Sequence, residues 1–145
     1  MLTPHLHSIA RFLIIVFLGF GLFAPAQAAP EKDVIKSVIE SQLNAFATDD
    51  GAKAYSYAAP IVKNAFPTVD IFMTMVTKGY PPVYRNTNRI FGDVFQDGLG
   101  RPAMRVVLTG QDGKRYEAIY SMEQQADGTW KIAGCVVLVI PSQEV

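Results

Sequence analysis

At Pro81-Pro82 the hydrophobic pattern changes period, from the roughly 3.6-residue repeat of helices to the two-residue repeat of strands. A chain with that change packs helices against a sheet. Before the prolines, Ile35, Val38, Ile39, Leu43 and Phe46 recur at steps of three and four, which predicts an amphipathic helix over residues 30–48. Pro30, Glu31 and Asp33 suit its first turn, where a missing N–H costs nothing and carboxylates meet the positive helix end. Asp49 and Asp50 suit the N-cap of a second, shorter helix carrying Ala52, Tyr55 and Ala59, which Pro60 should stop. A third helix is expected over 68–78, with Ile71, Phe72, Met75 and Val76 on one side and Gly79 at its end. After the prolines, strands are expected over 89–96, 103–109, 115–122 and 129–140, with hairpin signals at Asp112-Gly113 and Asp127-Gly128. The class is therefore α+β, with N-terminal helices packed on one face of a curved antiparallel sheet.

The first 28 residues stand apart from this pattern. Met1 to Arg11 is short and weakly cationic, Phe12 to Phe23 is apolar but for Gly19 and Gly21, and Ala26-Gln27-Ala28 is a small-x-small site. This order is that of a secretory signal peptide, and the apolar run is shorter than the roughly 20 residues a spanning helix needs. Cleavage is expected after Ala28, leaving residues 29–145 as a single domain in the periplasm without a stable membrane anchor. No cysteine follows the cut, which disfavours a lipid anchor. With Arg11 gone, 12 basic residues face 13 acidic ones, a balance that argues against nucleic acid as a partner.

Several chemistries are excluded by residues the expected mature chain lacks. His5 and His7 both lie in the leader, so Ser-His-Asp catalysis, Cys-His catalysis and histidine zinc sites have no residues to build them. Cys135 is the only cysteine, which removes an internal disulfide and a Cys-x-x-Cys pair; on an apolar strand it reads as an inert thiol. No glycine-rich loop follows a strand, and Asp49-Asp50-Gly51 lacks the spaced ligands of a calcium loop. No cofactor or metal is expected.

The stretches Ile39-Glu40-Ser41-Gln42-Leu43-Asn44-Ala45-Phe46, Tyr57-Ala58-Ala59-Pro60, Met75-Val76-Thr77-Lys78-Gly79-Tyr80-Pro81-Pro82-Val83-Tyr84-Arg85 and Trp130-Lys131-Ile132-Ala133-Gly134-Cys135 resemble the bacterial exported family catalogued as domain of unknown function 4864. That family is similar to the nuclear-transport-factor-2-like superfamily, whose cone-shaped fold encloses a pocket between helices and sheet. The resemblance implies a fold and a compartment but no activity, because the superfamily hosts isomerases, dehydratases and non-catalytic modules.

If each Asp-Gly forms a two-residue turn, Arg105 falls opposite Tyr120 and Tyr120 opposite Cys135, with Thr109 and Tyr116 on the same face and Val107, Ala118 and Val137 between them. Such a face is a candidate wall for an aromatic or carboxylate ligand; it is equally a cross-strand Arg-Tyr pair with the guanidinium in solvent and Tyr116 and Cys135 as packing. A bulge at Gly134 would turn Cys135 to the other face. Between Lys78 and Arg85 an extended, proline-stiffened connection carries Tyr80 and Tyr84, which either close a pocket mouth or pin the linker to the core. Carboxylate catalysis would need an acid facing a tyrosine; Asp93 and Glu117 are the acids on the first three strands, and Glu117 falls on the face opposite Tyr116 and Tyr120. The leading expectation is a periplasmic binding or accessory module for a small apolar or aromatic ligand oriented by Arg105, Tyr116 and Tyr120. The alternatives are a homodimer or interaction module using the outer sheet face, and a cofactor-free isomerase- or dehydratase-like enzyme.

Overall fold

The computed structural model describes Lys32–Ser142; the expected leader over 1–28, its cut after Ala28, and the expected first-turn residues Pro30 and Glu31 lie outside the described residues. Among the described residues, five helices precede four strands: α1 (Lys32–Ala47), α2 (Gly51–Ser56), α3 (Pro60–Ala65), α4 (Val69–Gly79), α5 (Pro81–Tyr84), β1 (Asn86–Gln96), β2 (Pro102–Gly110), β3 (Arg115–Gln124) and β4 (Trp130–Val139). No described helix is long and apolar enough to cross a membrane.

The α1 stripe buries Ile35, Ile39, Leu43 and Phe46 as the spacing predicts, and Gln42 and Ala45 with them. Asp49 does not cap α2. It adopts a left-handed φ of 55° and ends α1, while the Asp50 N–H returns to the Ala45 carbonyl at 2.9 Å. Asp50 alone caps α2, its carboxylate accepting from Lys53 N at 3.0 Å. Within α2 the buried residue is Ala54; Ala52 is exposed, and Ala59 is buried beyond the helix.

Pro60 stops α2 only in the sense that it opens α3, at a position where its missing N–H has no partner to lose. Sequence periodicity does not reveal α3 because it buries no residue completely. Thr68 caps α4 through a bond from Ile71 N at 3.2 Å, and Phe72 and Val76 face the core, whereas Ile71 is 48% exposed instead of sharing their side. The expected extended backbone at Pro81-Pro82 is also corrected. The two prolines begin the single-turn α5, and Arg85 N closes it on the Pro81 carbonyl at 2.8 Å. A proline φ serves both conformations, and burial of Pro82 and Val83 selects the helical one.

The strands form one antiparallel sheet in the order β1-β2-β3-β4. Its three hairpins share one loop type, closed between Asp97 and Arg101, Gly110 and Lys114, and Gln125 and Thr129. Gly100, Gly113 and Gly128 occupy the left-handed position with φ of 75°, 75° and 85°. Each Asp-Gly thus ends a three-residue loop instead of forming a two-residue turn, which moves every facing pair by one. Met104 faces Tyr120, and Arg105 faces Ile119 on the other side of the sheet. The second hairpin makes the same shift, but an extra residue at Ala133 takes it back, so Tyr120 does face Cys135. The bulge restores the inward position of Cys135 that its loop alone would have reversed.

Met104, Val106, Leu108, Ala118, Tyr120 and Met122 line the inner face under the helices and are essentially unexposed. Val107 lies on the outer face opposite Glu117, and so is not beside Ala118 and Val137. Arg89 ties β1 to α1 through Asn44 Oδ1 (2.6 Å) and the Leu43 carbonyl (3.3 Å). The free edge of β4 is held by residues 57–59, since Ala59 N donates to the Ile132 carbonyl and Ile132 N to the Tyr57 carbonyl, both at 2.8 Å.

Asp97 organises the first hairpin. One carboxylate oxygen accepts from the Leu99 and Arg101 N–H groups (2.9 Å each), and the other from Arg101 Nε (2.8 Å) and Ser121 Oγ (2.7 Å). The Arg101 N–H first, then the Ser121 hydroxyl, hold this carboxyl well below its ordinary value of 3.8. A folded-state pKa below the unfolded one adds stability above pH ~4 that is lost as pH falls toward the folded value. Thermal midpoints measured from pH 6 down to pH 2 should converge for the wild type and Asp97→Asn; a constant gap would remove Asp97 as the acid-sensitive group.

Candidate functional site

A pocket of about 300 Å³ opens where α3 and α4 stand away from the second half of the sheet. Its walls are Phe46 from α1, Val62 and Phe66 at α3, and Met75 and Val76 from α4; Tyr120, Ala133 and Cys135 form the floor. Short α3 buries nothing completely, so it roofs the space without filling it. The lining includes no Asp, Glu, Lys or Arg, and its polar side-chain groups are the Gln42 amide, two tyrosine hydroxyls and one thiol.

Tyr120 is the central feature. Its place on the inner face of β3 buries it completely, and its hydroxyl has no hydrogen-bond partner, alone among the buried side-chain polar atoms of the described residues. The Cys135 thiol lies beside it, close enough for each group to shift the other's ionisation. Burial pushes the Tyr120 phenol far above its usual range, with the Cys135 thiol adding to the effect, so the hydroxyl stays protonated. Gln42, by contrast, is anchored, its Nε2 donating to the Ala54 carbonyl at 3.1 Å.

Burial pushes the Cys135 thiol up to about 12 from an ordinary 9.0. At pH 8 that leaves about a thousandfold less thiolate than a free cysteine carries. Labelling of the folded protein by an aromatic disulfide should accordingly be at least about a hundredfold slower than after guanidinium unfolding. Equal rates would show an open, ionisable thiol.

The five residues expected to form one site are divided among three places. Tyr120 and Tyr80 meet at the pocket, Tyr80 from the junction of α4 and α5. Tyr84 and Tyr116 line a separate cleft of about 250 Å³ with Pro81, Arg85 and Asp112. There Tyr116 Oη donates to Asp112 at 2.6 Å, Tyr84 Oη donates to Asp49, and Arg85 Nη2 reaches both Asp49 oxygens at 2.8 Å. The Tyr84 hydroxyl and then Arg85 lower the Asp49 pKa, and the carboxylate raises that of Tyr84 in return. These mutual bonds brace the α1–α2 corner against α5.

Arg105 belongs to neither cavity. The one-residue register shift places it on the outer face, with Nε 3.2 Å from Glu117 and its guanidinium 4.7 Å from the Phe95 ring centre. The expected Arg105–Tyr120 wall therefore does not exist, and a carboxylate ligand loses the cation that would have paired with it. Glu117 lies on the sheet face away from Tyr120, as expected, and Asp93 pairs with Lys32 in solvent at 2.6 Å. Val62 and Phe66 carry no sequence signal, because nothing periodic marks α3. Gln42 was detectable in principle, as a polar residue falling on the Ile39, Leu43, Phe46 stripe.

No curated protein and no solved structure matches the chain. The family model described as a domain of unknown function (DUF4864) matches residues 28–145, and the chain belongs to that family.

Proposed function

We propose that this is an exported binding or accessory domain that holds a small apolar or aromatic molecule in the pocket between α3, α4 and the inner sheet face. The observation that carries this reading is an apolar space of about 300 Å³ between α3, α4 and the inner sheet face, with no ionic side chain in its lining. We read the architecture as the cone of the nuclear-transport-factor-2-like superfamily; helices on one face of an open four-stranded sheet, with a pocket between, support that assignment. Export is supported by the signal-like order of residues 1–28 and by a family match that begins at residue 28. Binding is favoured over catalysis because the lining supplies no carboxylate to work with Tyr120.

Native mass spectrometry of protein purified from the periplasm tests both parts. The expected result is the mass of residues 29–145 plus a small molecule that denaturation releases. An empty chain of that mass leaves the export reading standing and removes the bound ligand; an uncut chain removes export.

A second reading, a homodimer through the outer sheet face, is favoured by Ile90, Val136 and Leu138, each more than half exposed around the Arg105–Glu117 pair. A face carrying both charges and exposed aliphatic groups is self-complementary under a two-fold axis. Sedimentation at rising concentration should then give a dimer, and a monomer throughout would remove this reading.

A further inference from the structure

The hold of residues 57–59 on β4 ends at the bulge. Ile140 N donates to the Arg115 carbonyl at 2.9 Å, and bonding alternates along an antiparallel pair. The backbone groups of Ile140, Leu138 and Val136 therefore point toward β3, and those of Val139, Val137 and Cys135 point away from it. Before the bulge the outward residue is Ile132, and residues 57–59 take both its N–H and its C=O. Beyond the bulge, the outward groups of Cys135, Val137 and Val139 meet no partner among the described residues.

We infer that this edge pairs with the same edge of a second copy of the chain, β4 against β4, antiparallel about a two-fold axis at Val137. The inference goes beyond both readings above, because it needs no ligand and uses the edge of the sheet instead of its outer face.

Three features select a second copy as the occupant. The first is register. With the axis at Val137, that residue faces its own counterpart, and Cys135 of each copy faces Val139 of the other. These are hydrogen-bonded pairs, each exchanging two bonds, so every outward group of the stretch is satisfied at once. The second is side-chain fit. From Gly134 to Ile140 the strand has no charge and no proline, so no like charges meet and no N–H is missing. Between the bonded pairs, Val136 (56% exposed) falls opposite Leu138 (51% exposed) of the second copy, giving an aliphatic pair on each side of the axis. The third is closure. The opposite edge, β1, is interrupted by a bulge between Phe91 and Val94 and carries the Lys32–Asp93 ion pair, devices that keep strands from adding. On β4, residues 57–59 bound the open stretch at one end and Pro141 at the other. One usable edge per chain ends the assembly at two copies.

Amide exchange carried out in dilute and in concentrated protein, quenched and read residue by residue, tests the edge directly. The Cys135, Val137 and Val139 amides should slow at least about tenfold on concentration, while those of Val136 and Leu138, already bonded to β3, change little. Sedimentation should show a dimer over the same range. Val139→Pro removes an outward N–H at the strand's end, where the side chain is 61% exposed, and should raise the dimer dissociation constant at least about tenfold. Ile90→Lys, on the outer face of β1, should leave that constant unchanged. A dimer lost with Ile90→Lys but kept with Val139→Pro overturns edge pairing in favour of the outer face. A monomer throughout, or edge amides that exchange equally fast at both concentrations, overturns it outright, and species larger than a dimer overturn the closed two-fold arrangement. If Val139→Pro does not fold, the wild-type exchange pattern decides alone. The pocket reading stands or falls separately from all of these results.

Discussion

Replacing Phe46 with alanine is expected to lower folding stability by about 3–5 kcal/mol, the range for truncating a large buried aromatic side chain. Phe46 is 1% exposed and sits on the last full turn of α1, where its ring stacks on Phe72 of α4 at 6.1 Å between centres. Its carbonyl also receives the Arg85 guanidinium, so the same residue joins α1, α4 and the start of the sheet. Truncation leaves a void beside the existing pocket, and the stacked Phe72, held in turn against Tyr55 at 5.2 Å, is poorly placed to collapse into it. A domain of this size has on the order of 5–15 kcal/mol in total, so the loss is a large fraction of its stability. Urea unfolding followed by the fluorescence of Trp130 measures the change. A loss below about 1 kcal/mol would mean that the α1–α4 contact contributes little to the core.

Tyr120→Phe is expected to move stability in the opposite direction, upward by about 1–3 kcal/mol in the ligand-free protein. The substitution keeps the ring, which is fully buried, and removes only an oxygen that has no partner. Desolvating that hydroxyl on folding gains nothing in return, so its removal should raise the thermal midpoint by on the order of 5 °C. A lower or unchanged midpoint would show that the hydroxyl is bonded in solution.

The parts of this protein legible in its sequence are those set by local periodicity. The α1 stripe, the Phe72–Val76 face of α4 and the four strands follow from apolar spacing, because spacing alone decides which side of a helix or strand can be buried. Prolines were legible as boundaries but not in kind, since the same fixed φ opens a helix at Pro60 and Pro81 as readily as it extends a strand or linker.

Register lay beyond local pattern. Asp112-Gly113 identifies a hairpin, yet whether it closes a two- or three-residue loop depends on where the flanking strands pair, and that single residue sends Arg105 outward and leaves Tyr120 inside. The Tyr120–Cys135 pair depends on a compensating bulge at Ala133 that no nearby residue announces. The pocket is further still from local reading. Gln42, Phe66, Met75, Tyr120 and Cys135 converge on one space from α1, α4, the α3–α4 connection and two strands. Sequence determined the amphipathic elements and the donor that Tyr120 carries; only tertiary packing decided that this donor would be buried without a partner, because that depends on what lies opposite it in space.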